Sequence, residues 1–255
     1  MKHRPRKRFG QNFLLDSSVI DQIVSLIDPD PLDTLVEIGP GRGALTLPIL
    51  AAGCDLHAVE IDRDLIAHWR QQSHPNLTLH EGDALEFDFS RLGAPLRIIG
   101  NLPYNISTPL LFRFIEYRQQ VRDIHVMLQK EVADRVCAEP GTKAYGRLTV
   151  MMALHFERYV AFDVSPDAFE PAPKVTSSVI SMRPLETPPD LHNATRFALL
   201  VKHAFSMRRK TLRKSLKGLC SEADFAAAGI DSGLRPERLS AAQFVALSNT
   251  LDALL

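Results

Sequence analysis

The sequence predicts an α/β fold, in which helices cover both faces of a mostly parallel sheet, followed by a small all-helical domain. Between Leu35 and Met182, short β-rich runs alternate with helical stretches, an order typical of a parallel sheet. The segment 183–189 then holds three prolines, which break both patterns, and only helical stretches follow it. We therefore expect a first domain over residues 1–184 and a second over residues 185–255.

The individual elements follow from periodicity and from end signals. The stretch Asp16–Ile27 has apolar residues at helical spacing, so a helix is expected ahead of the sheet. The predicted strands are Thr34–Ile38, Asp55–Glu60, Leu77–His80, Arg97–Ile99, Ile124–Leu128, Thr149–Phe156 and Val175–Met182. The predicted helices are Ala44–Ala52, Arg63–Gln71, Pro109–Tyr117 and Glu131–Cys137, then Phe197–Ala204, Arg209–Leu219, Asp224–Ala228 and Ala241–Leu254. Gly53 is placed to end the helix before it, and Ser107 to cap the helix after it.

The composition is that of a globular protein, with 45% hydrophobic and 24% charged residues in a chain of 255. No apolar run approaches the roughly 18 residues that cross a bilayer, and the basic N-terminus lacks the apolar segment of a signal peptide. Three separated cysteines predict neither a disulfide framework nor a metal cluster, and the nine histidines show no paired metal-ligand spacing. We therefore expect a cytoplasmic protein that has no metal and does not contact a membrane.

Charge is balanced overall but unevenly distributed. Thirty basic and thirty acidic residues give a formal net charge of zero, which alone argues against a nucleic-acid partner. However, the first ten residues hold five lysines or arginines and no acid, and the segment from Lys202 to Lys217 holds seven and no acid. Two such basic patches suit a phosphate backbone. A solvated helix face explains either cluster alone equally well.

A glycine-rich loop follows the first predicted strand of the sheet. Gly39, Gly41 and Gly43 lie in the segment Glu-Ile-Gly-Pro-Gly-Arg-Gly, where the strand ends and a helix begins. Glycines let the backbone turn tightly against a nucleotide-like ligand, and the helix N-terminus offers free N–H groups. The loop also satisfies the loose dinucleotide fingerprint, so it is compatible with NAD as well as S-adenosylmethionine. A tight turn without function is the remaining alternative.

Acidic residues favour S-adenosylmethionine. Glu37 precedes the glycines, as is common in methyltransferases. Glu60 ends the second strand, where it can accept hydrogen bonds from both ribose hydroxyls, and Asp83 follows the third, where it can bind the adenine amine. Because the carboxyl ends of parallel strands line one crevice, these loops should converge. Either acid alone could be a surface residue or a helix cap. Together they predict a Rossmann-like fold typical of S-adenosylmethionine-dependent methyltransferases.

The most specific feature is Asn101-Leu102-Pro103-Tyr104, which resembles the Asp/Asn-Pro-Pro-Tyr type motif of amino-group methyltransferases. The amine of adenine is a poor nucleophile because its lone pair is delocalised into the ring. The side-chain oxygen of Asn101 and the carbonyl of Leu102 or Pro103 can accept its two N–H groups and draw it toward sp³ geometry. Tyr104 would stack on the base and hold it for in-line transfer. The alternative is a proline-containing turn that leads into a helix.

Further segments carry a resemblance to a known family. They are Lys7–Leu14, the glycine loop, the motif extended to Ser107, Phe169–Ser177, and Ala204-Phe205 followed by Arg208–Arg213. In these segments the chain resembles the ribosomal RNA adenine dimethyltransferases, most closely the bacterial small-subunit branch, from about Arg8 to the C-terminus. The resemblance implies an enzyme that transfers methyl groups from S-adenosylmethionine and releases S-adenosylhomocysteine.

The resemblance also implies a substrate and partners. The substrate is a pair of adjacent adenosines in a hairpin near the 3′ end of small-subunit (16S) ribosomal RNA, each converted to N6,N6-dimethyladenosine. The partners are this RNA and the small ribosomal subunit, with a role in subunit biogenesis, and the enzyme is expected to act as a monomer.

The resemblance assigns roles to particular residues. The cofactor site would comprise Asn12, Leu14, Gly39, Gly41, Glu60, Asp83 and Asn101. The target base would contact Asn101, Leu102, Pro103 and Tyr104 on one side and Phe169 on the other, because a base must be splayed out before its amine is reachable. The contacts to RNA phosphates would come from Arg208, Arg209, Lys210 and Arg213.

Four other functions compete with this interpretation. A large-subunit dimethyltransferase would share the first domain, so the helical tail with its Arg-Arg-Lys-Thr run is what favours the small subunit. A DNA adenine methyltransferase would generally carry an acid in place of Asn101. A ribosome-assembly factor with secondary catalysis stays open, since both roles can coexist. An NAD-dependent oxidoreductase lacks an evident hydride-transfer site and leaves the Asn101–Tyr104 motif unexplained.

Overall fold

The structure is a computed structural model that describes residues 11–207 and 209–251. The basic N-terminal residues and Arg208, to which RNA contacts were assigned, lie outside the described residues. The chain forms two compact units. One contains the chain up to Ala133 together with Glu157–Pro184, and the other contains Asp134–Phe156 and the chain from Leu185 onward. The segment 134–156, which the sequence analysis placed in the first domain, therefore lies in the second unit.

The elements alternate as the sequence predicts. The strands are β1 (Phe13–Leu14), β2 (Thr34–Ile38), β3 (Asp55–Glu60), β4 (Leu77–Glu81), β5 (Leu96–Asn101), β6 (Val121–Gln129), β7 (Phe156–Val164), β8 (Phe169–Glu170) and β9 (Ser177–Pro184). The helices are α1 (Ser17–Ile27), α2 (Thr46–Ala51), α3 (Arg63–Arg70), α4 (Ser107–Glu116), α5 (Lys130–Val136), α6 (Arg147–Ala153), α7 (Ala194–Ala204), α8 (Leu212–Ser215), α9 (Glu222–Ala227) and α10 (Ala241–Thr250). Among the described residues, no helix has the length and apolar character needed to cross a bilayer.

The main sheet places its strands in the order β4-β3-β2-β5-β6-β9-β7. Strands β2 to β6 pair in parallel, whereas β9 runs antiparallel to β6. The short strands β1 and β8 form a separate antiparallel pair. The order changes direction between β2 and β5, because β3 and β4 extend to one side and β6 to the other. In such sheets a ligand binds at the carboxyl ends of the strands where the order changes.

The central strands are apolar because helices cover the sheet. Leu35, Val36 and Ile38 of β2 are at most 2% exposed, and β5 is buried from Leu96 to Gly100. Strands buried on both faces are rich in hydrophobic residues, and here the charged exceptions are Glu37 of β2 and Arg97 of β5, which are also buried. The second unit has its own core, formed by α6, α7 and α10 around Phe197, Leu200 and Phe244.

The predicted α/β class is confirmed, but one predicted strand is wrong. The segment Thr149–Phe156 was expected to be extended because of its β-branched and aromatic residues. It instead lies largely in α6, where Gly146 precedes the helix and donates its N–H to Thr149 Oγ1 at 3.0 Å. Val150 and Leu154 are buried in the helical core of the second unit. Tertiary packing has therefore overridden the local β propensity.

Two helix boundaries also differ from the prediction. Ser107 is the first residue of α4 and not its cap, since the capping position is Ile106. The expected helix Arg209–Leu219 shrinks to α8. The N–H groups of Leu212 and Arg213 donate to the carbonyls of Leu234 and Ser232, at 2.8 and 3.0 Å, so the chain before α8 does not form a helical turn.

A buried ion cluster lies at the amino ends of the central strands. Arg97 of β5 donates to Asp123 of β6 at 2.9 Å and to Asp33, just before β2, at 2.6 Å. All three side chains are under 10% exposed. Arg97 pairs with both carboxylates, and its hydrogen bonds and positive charge help to lower the pKa of Asp123 to about 2 against the effect of burial.

We expect Arg97→Ala to reduce the free energy of unfolding by about 3–5 kcal/mol, because it removes the buried cation that pairs with both Asp33 and Asp123. Arg122→Ala is the matched control. Arg122 also pairs with Asp33, at 2.7 Å, but its side chain is 56% exposed, so its loss should cost about 1 kcal/mol or less. Urea denaturation of both variants measures the difference, and equal costs would contradict the assignment.

Candidate active site

A cavity of about 230 Å³ opens where the sheet order changes, entirely within the first unit. Its lining comes from the loops after β2, β3, β4 and β5 and from residues 11–14. It includes most of the predicted site residues: Asn12, Leu14, Gly39, Gly41, Glu60, Asp83, Asn101, Leu102, Pro103 and Tyr104. Positions far apart in the sequence therefore surround one space.

The glycine loop forms one wall of the cavity. Gly39 and Gly41 have φ angles of +70° and +54°, which side chains rarely adopt. A Cβ atom at Gly41 would lie 3.2 Å from the ring of Phe13, so a side chain there would also crowd the lining. The indole N–H of Trp69 donates to the Gly41 carbonyl at 3.0 Å and holds the loop from α3.

Two buried carboxyl groups lie beside this loop. Glu37 is 2% exposed and accepts a hydrogen bond from Thr46 Oγ1 at 2.7 Å. Burial, with a smaller contribution from the charge of Glu60, raises the pKa of Glu37 from 4.5 to about 7. Glu60 accepts the N–H groups of Ile61 and Asp62, each at 2.9 Å, and burial raises its pKa too. Within the described residues neither carboxyl pairs with a lysine or arginine, so a cationic ligand would be favoured here.

The segment 11–14 closes the cavity from another side. Leu14 of β1 pairs with Phe169 of β8, and the N–H of Leu15 donates to the Ala168 carbonyl at 2.8 Å. Arg42 of the glycine loop forms an ion pair with Glu170 at 2.8 Å. Its guanidinium also lies 4.3 Å from the centre of the Phe13 ring. The segment is thereby attached both to β8 and to the glycine loop.

The Asn101 motif forms another wall of the cavity. Asn101 Nδ2 donates to the Asn12 carbonyl at 2.9 Å, so its Oδ1 is the atom that can accept a hydrogen bond from a substrate amine. The Pro103 carbonyl accepts the N–H of Ile106 at 3.1 Å, as part of the turn into α4. Tyr104 is half-buried and lines the cavity. The motif therefore presents an acceptor and an aromatic ring to the same space.

The sequence matches the family described as ribosomal RNA adenine dimethylase over residues 2–253. The chain belongs to this family. It is therefore an S-adenosylmethionine-dependent methyltransferase, and the predicted enzyme class and cofactor are confirmed. The lining fits this cofactor, since Glu60 offers a carboxylate that can accept hydrogen bonds from hydroxyl groups, the buried Glu37 favours a positively charged ligand, and the glycines leave room for it.

Curated relatives are similar to this chain over almost its whole length. A protein of Aromatoleum aromaticum named Ribosomal RNA small subunit methyltransferase A is 56% identical over 99% of this chain and 96% of its own. A protein of the same name from Chromobacterium violaceum is 55% identical over 98% of this chain and 97% of its own.

Two crystal structures are similar in fold. A dimethyladenosine transferase from Plasmodium falciparum has a TM-score of 0.77 and 25% identity, and the match covers 92% of this chain and 95% of that one. The 23S rRNA methyltransferase ErmE has a TM-score of 0.74 and 26% identity over 94% of this chain and 100% of its own.

Some predicted residues do not lie in the cavity. Phe169 is 5% exposed, does not line it, and packs in the core beside Leu14. Arg209, Lys210 and Arg213 are exposed residues of the second unit, and Arg213 pairs with Glu222 at 2.9 Å. The roles assigned to these residues stay predictions. No cluster of three or more potential metal ligands occurs among the residues that the structure describes.

Several residues of the site were not assigned by sequence reasoning. Gln11 donates to Asp62 at 2.9 Å and ties the segment 11–14 to the start of α3. A Cβ atom at Gly100 would lie 2.7 Å from the Ile38 carbonyl, so β5 approaches β2 closely next to Asn101. A glycine inside a strand pattern signals a close backbone approach, and Gly100 could have been found in this way.

Glu37 should make stability depend on pH. Its raised pKa means that the folded state retains a proton that the unfolded state loses near pH 4.5. The stabilisation is thus fully present below pH 4.5 and is lost as the pH rises to about 7, by roughly 3 kcal/mol. Glu37→Gln should not show this loss, so its stability relative to the native protein should increase over that range. Urea denaturation of both at pH 4.5 and 7.5 measures the change, and a constant difference would contradict the prediction.

Proposed function

We propose that this enzyme dimethylates N6 of two adjacent adenosines in a hairpin near the 3′ end of 16S ribosomal RNA. The relatives named as small-subunit methyltransferases carry this proposal, since they match nearly the entire chain at 50–56% identity. The large-subunit alternative has weaker support, because ErmE is only 26% identical.

We also propose that the enzyme acts in the cytoplasm on the small ribosomal subunit and contributes to subunit biogenesis. We further propose that it acts as a monomer.

Different residues around the cavity would contact different parts of the cofactor. Glu60 and Asp83 would hold the nucleoside part of the cofactor, while Gly39 and Gly41 give its backbone room. Asn12, bonded to Asn101, and Leu14, paired with β8, would cover it and exclude water. When bound, S-adenosylmethionine supplies the electrophilic methyl group. Exclusion of water strengthens the interaction of the buried carboxylates with a cation.

The motif after β5 would prepare the amine. Asn101 Oδ1 accepts one N–H of the adenine amine. The Leu102 carbonyl is the better second acceptor, because the Pro103 carbonyl is engaged by Ile106. Two acceptors in this arrangement expose the nitrogen lone pair, and the extra proton can leave once the nitrogen becomes cationic. Tyr104 stacks on the base, and Phe169 is proposed to contact its other face.

Labelled S-adenosylmethionine and small subunits that lack the modification test this proposal. Label in N6,N6-dimethyladenosine is expected, identified by mass spectrometry of the nucleosides. Asn101→Ala should lower kcat about 100-fold or more while subunit binding is retained, because it removes an acceptor that positions the amine. Asn76→Ala, which removes an exposed side-chain amide remote from the motif, is the matched control and should stay active. Label only in large subunits would refute the proposed substrate.

The exposed basic residues of the second unit should contribute electrostatically to RNA binding. Arg209→Ala with Lys210→Ala is expected to reduce the slope of log affinity against log salt by about two, since each phosphate contact contributes about one. Arg91→Ala is the control, because Arg91 is 80% exposed but belongs to the first unit. Filter binding of small subunits at several salt concentrations measures the slopes. An unchanged slope in the double variant would exclude these contacts.

A further inference from the structure

Tyr104 and Ser177 are far apart in the sequence, but their hydroxyl oxygens lie 2.7 Å apart. Tyr104 lines the cavity, whereas Ser177 is 0% exposed and is not part of the lining. We propose that Ser177 is a positioning residue, whose hydroxyl holds the Tyr104 ring in the orientation that stacks on the target adenine. This inference rests on the proposed function, in which Tyr104 contacts the base.

Ser177 is suited to this role because its backbone is fixed on both sides. Before it, the carbonyl of Thr176 accepts the N–H of Lys130 at 2.9 Å. After it, Ser178 Oγ donates to Asp163 at 2.6 Å, and Asp163 pairs with Lys130 Nζ at 3.0 Å. Ser177 itself begins β9 and is paired with β6. The Ser177 hydroxyl therefore occupies a defined position at the end of the sheet.

Tyr104 depends more on such a contact, because it lies in the loop between β5 and α4. Its carbonyl accepts a hydrogen bond from Ser107 Oγ at 3.2 Å, which orders the backbone but leaves the two side-chain torsions free. A hydrogen bond at the phenol oxygen restricts both torsions. Burial raises the pKa of the Tyr104 phenol, so the group keeps its proton and can exchange donor and acceptor roles with Ser177.

The orientation of the Tyr104 ring matters for catalysis because it sets the plane of the stacked base. That plane decides whether the adenine amine reaches Asn101 Oδ1 in the correct direction, and small displacements of reacting groups are costly. The cofactor is proposed to be held by other residues, Glu60 and Asp83 among them. Loss of the Ser177 hydroxyl should therefore weaken base stacking and methyl transfer while cofactor binding is retained.

The test combines Ser177→Ala, Tyr104→Phe and the double variant in full-length protein. Ser177→Ala should lower kcat/KM for small subunits about five- to tenfold, with the Kd for S-adenosylhomocysteine changed less than about twofold. If Ser177 acts only through the phenol, the double variant should be no slower than Tyr104→Phe alone. Ser181→Ala is the matched control, since this serine lies in the same strand, is 1% exposed and is remote from Tyr104, so it should keep native activity.

A second measurement reports on the base directly. In an RNA hairpin that carries 2-aminopurine at the target position, the native enzyme should quench the fluorescence of this base. Ser177→Ala should quench the fluorescence less, whereas Ser181→Ala should quench it as the native enzyme does. The proposal is overturned if Ser177→Ala is as active as the native enzyme, if its effect adds fully to that of Tyr104→Phe, or if Ser181→Ala causes an equal loss. A native enzyme that does not methylate small subunits would instead refute the proposed function, and the role of Ser177 with it.

Discussion

The close approach of β2 and β5 at their carboxyl ends is the constraint on which the site depends. Ile38 leads directly into the glycine loop, and Gly100 leads directly to Asn101. A Cβ atom at Gly100 would lie 2.7 Å from the Ile38 carbonyl, so only glycine permits this spacing. Because the two strands are parallel neighbours, the wall that would hold the methyl donor and the wall that would hold the amine face one cavity. A wider separation would leave both walls intact but move their reacting groups apart.

Residues 11–14 cover this cavity. They connect the part that would bind the cofactor with the part that would bind the target base. Asn12 is attached to the motif by the hydrogen bond from Asn101, and Leu14 is attached to β8 beside Phe169. Arg42 then joins β8 to the glycine loop through its ion pair with Glu170. The same few residues thus contact the cofactor pocket, the amine-binding motif and the strand that carries Phe169. Phe169 is buried because it pairs with Leu14 in this strand pair, and its contact with the target base stays a prediction.

The parts of the fold and of the site that could be predicted from the sequence are those determined by neighbouring residues in the chain. Strands β2 and β3 were predicted with the correct ends, because the signals for a short strand lie within the segment itself. The cavity residues could be predicted because the ends of parallel strands must converge. The helix α6 could not, since Thr149 and Val150 favour a strand locally and are helical only within the core of the second unit. The attachments of the segment 11–14 are likewise long-range contacts, and no local pattern in Gln11 or Asn12 indicates them.

Buried carboxyl groups occur at both ends of the sheet, but their pKa values shift in opposite directions. At the amino ends, Asp33 and Asp123 are buried with Arg97, and hydrogen bonds and charge lower the pKa of both despite burial. At the carboxyl ends, Glu37 and Glu60 are buried without such a partner among the described residues, and burial raises the pKa of both. The first arrangement is complete in the protein alone and stabilises it, since its cation is part of the chain. The second has no lysine or arginine partner among the described residues, so a positively charged ligand in the cavity would favour the ionised form of these carboxyl groups. The excess of negative charge at this end of the sheet would favour binding of a positively charged cofactor. The ion cluster that stabilises the fold lies at the other end of the same strands.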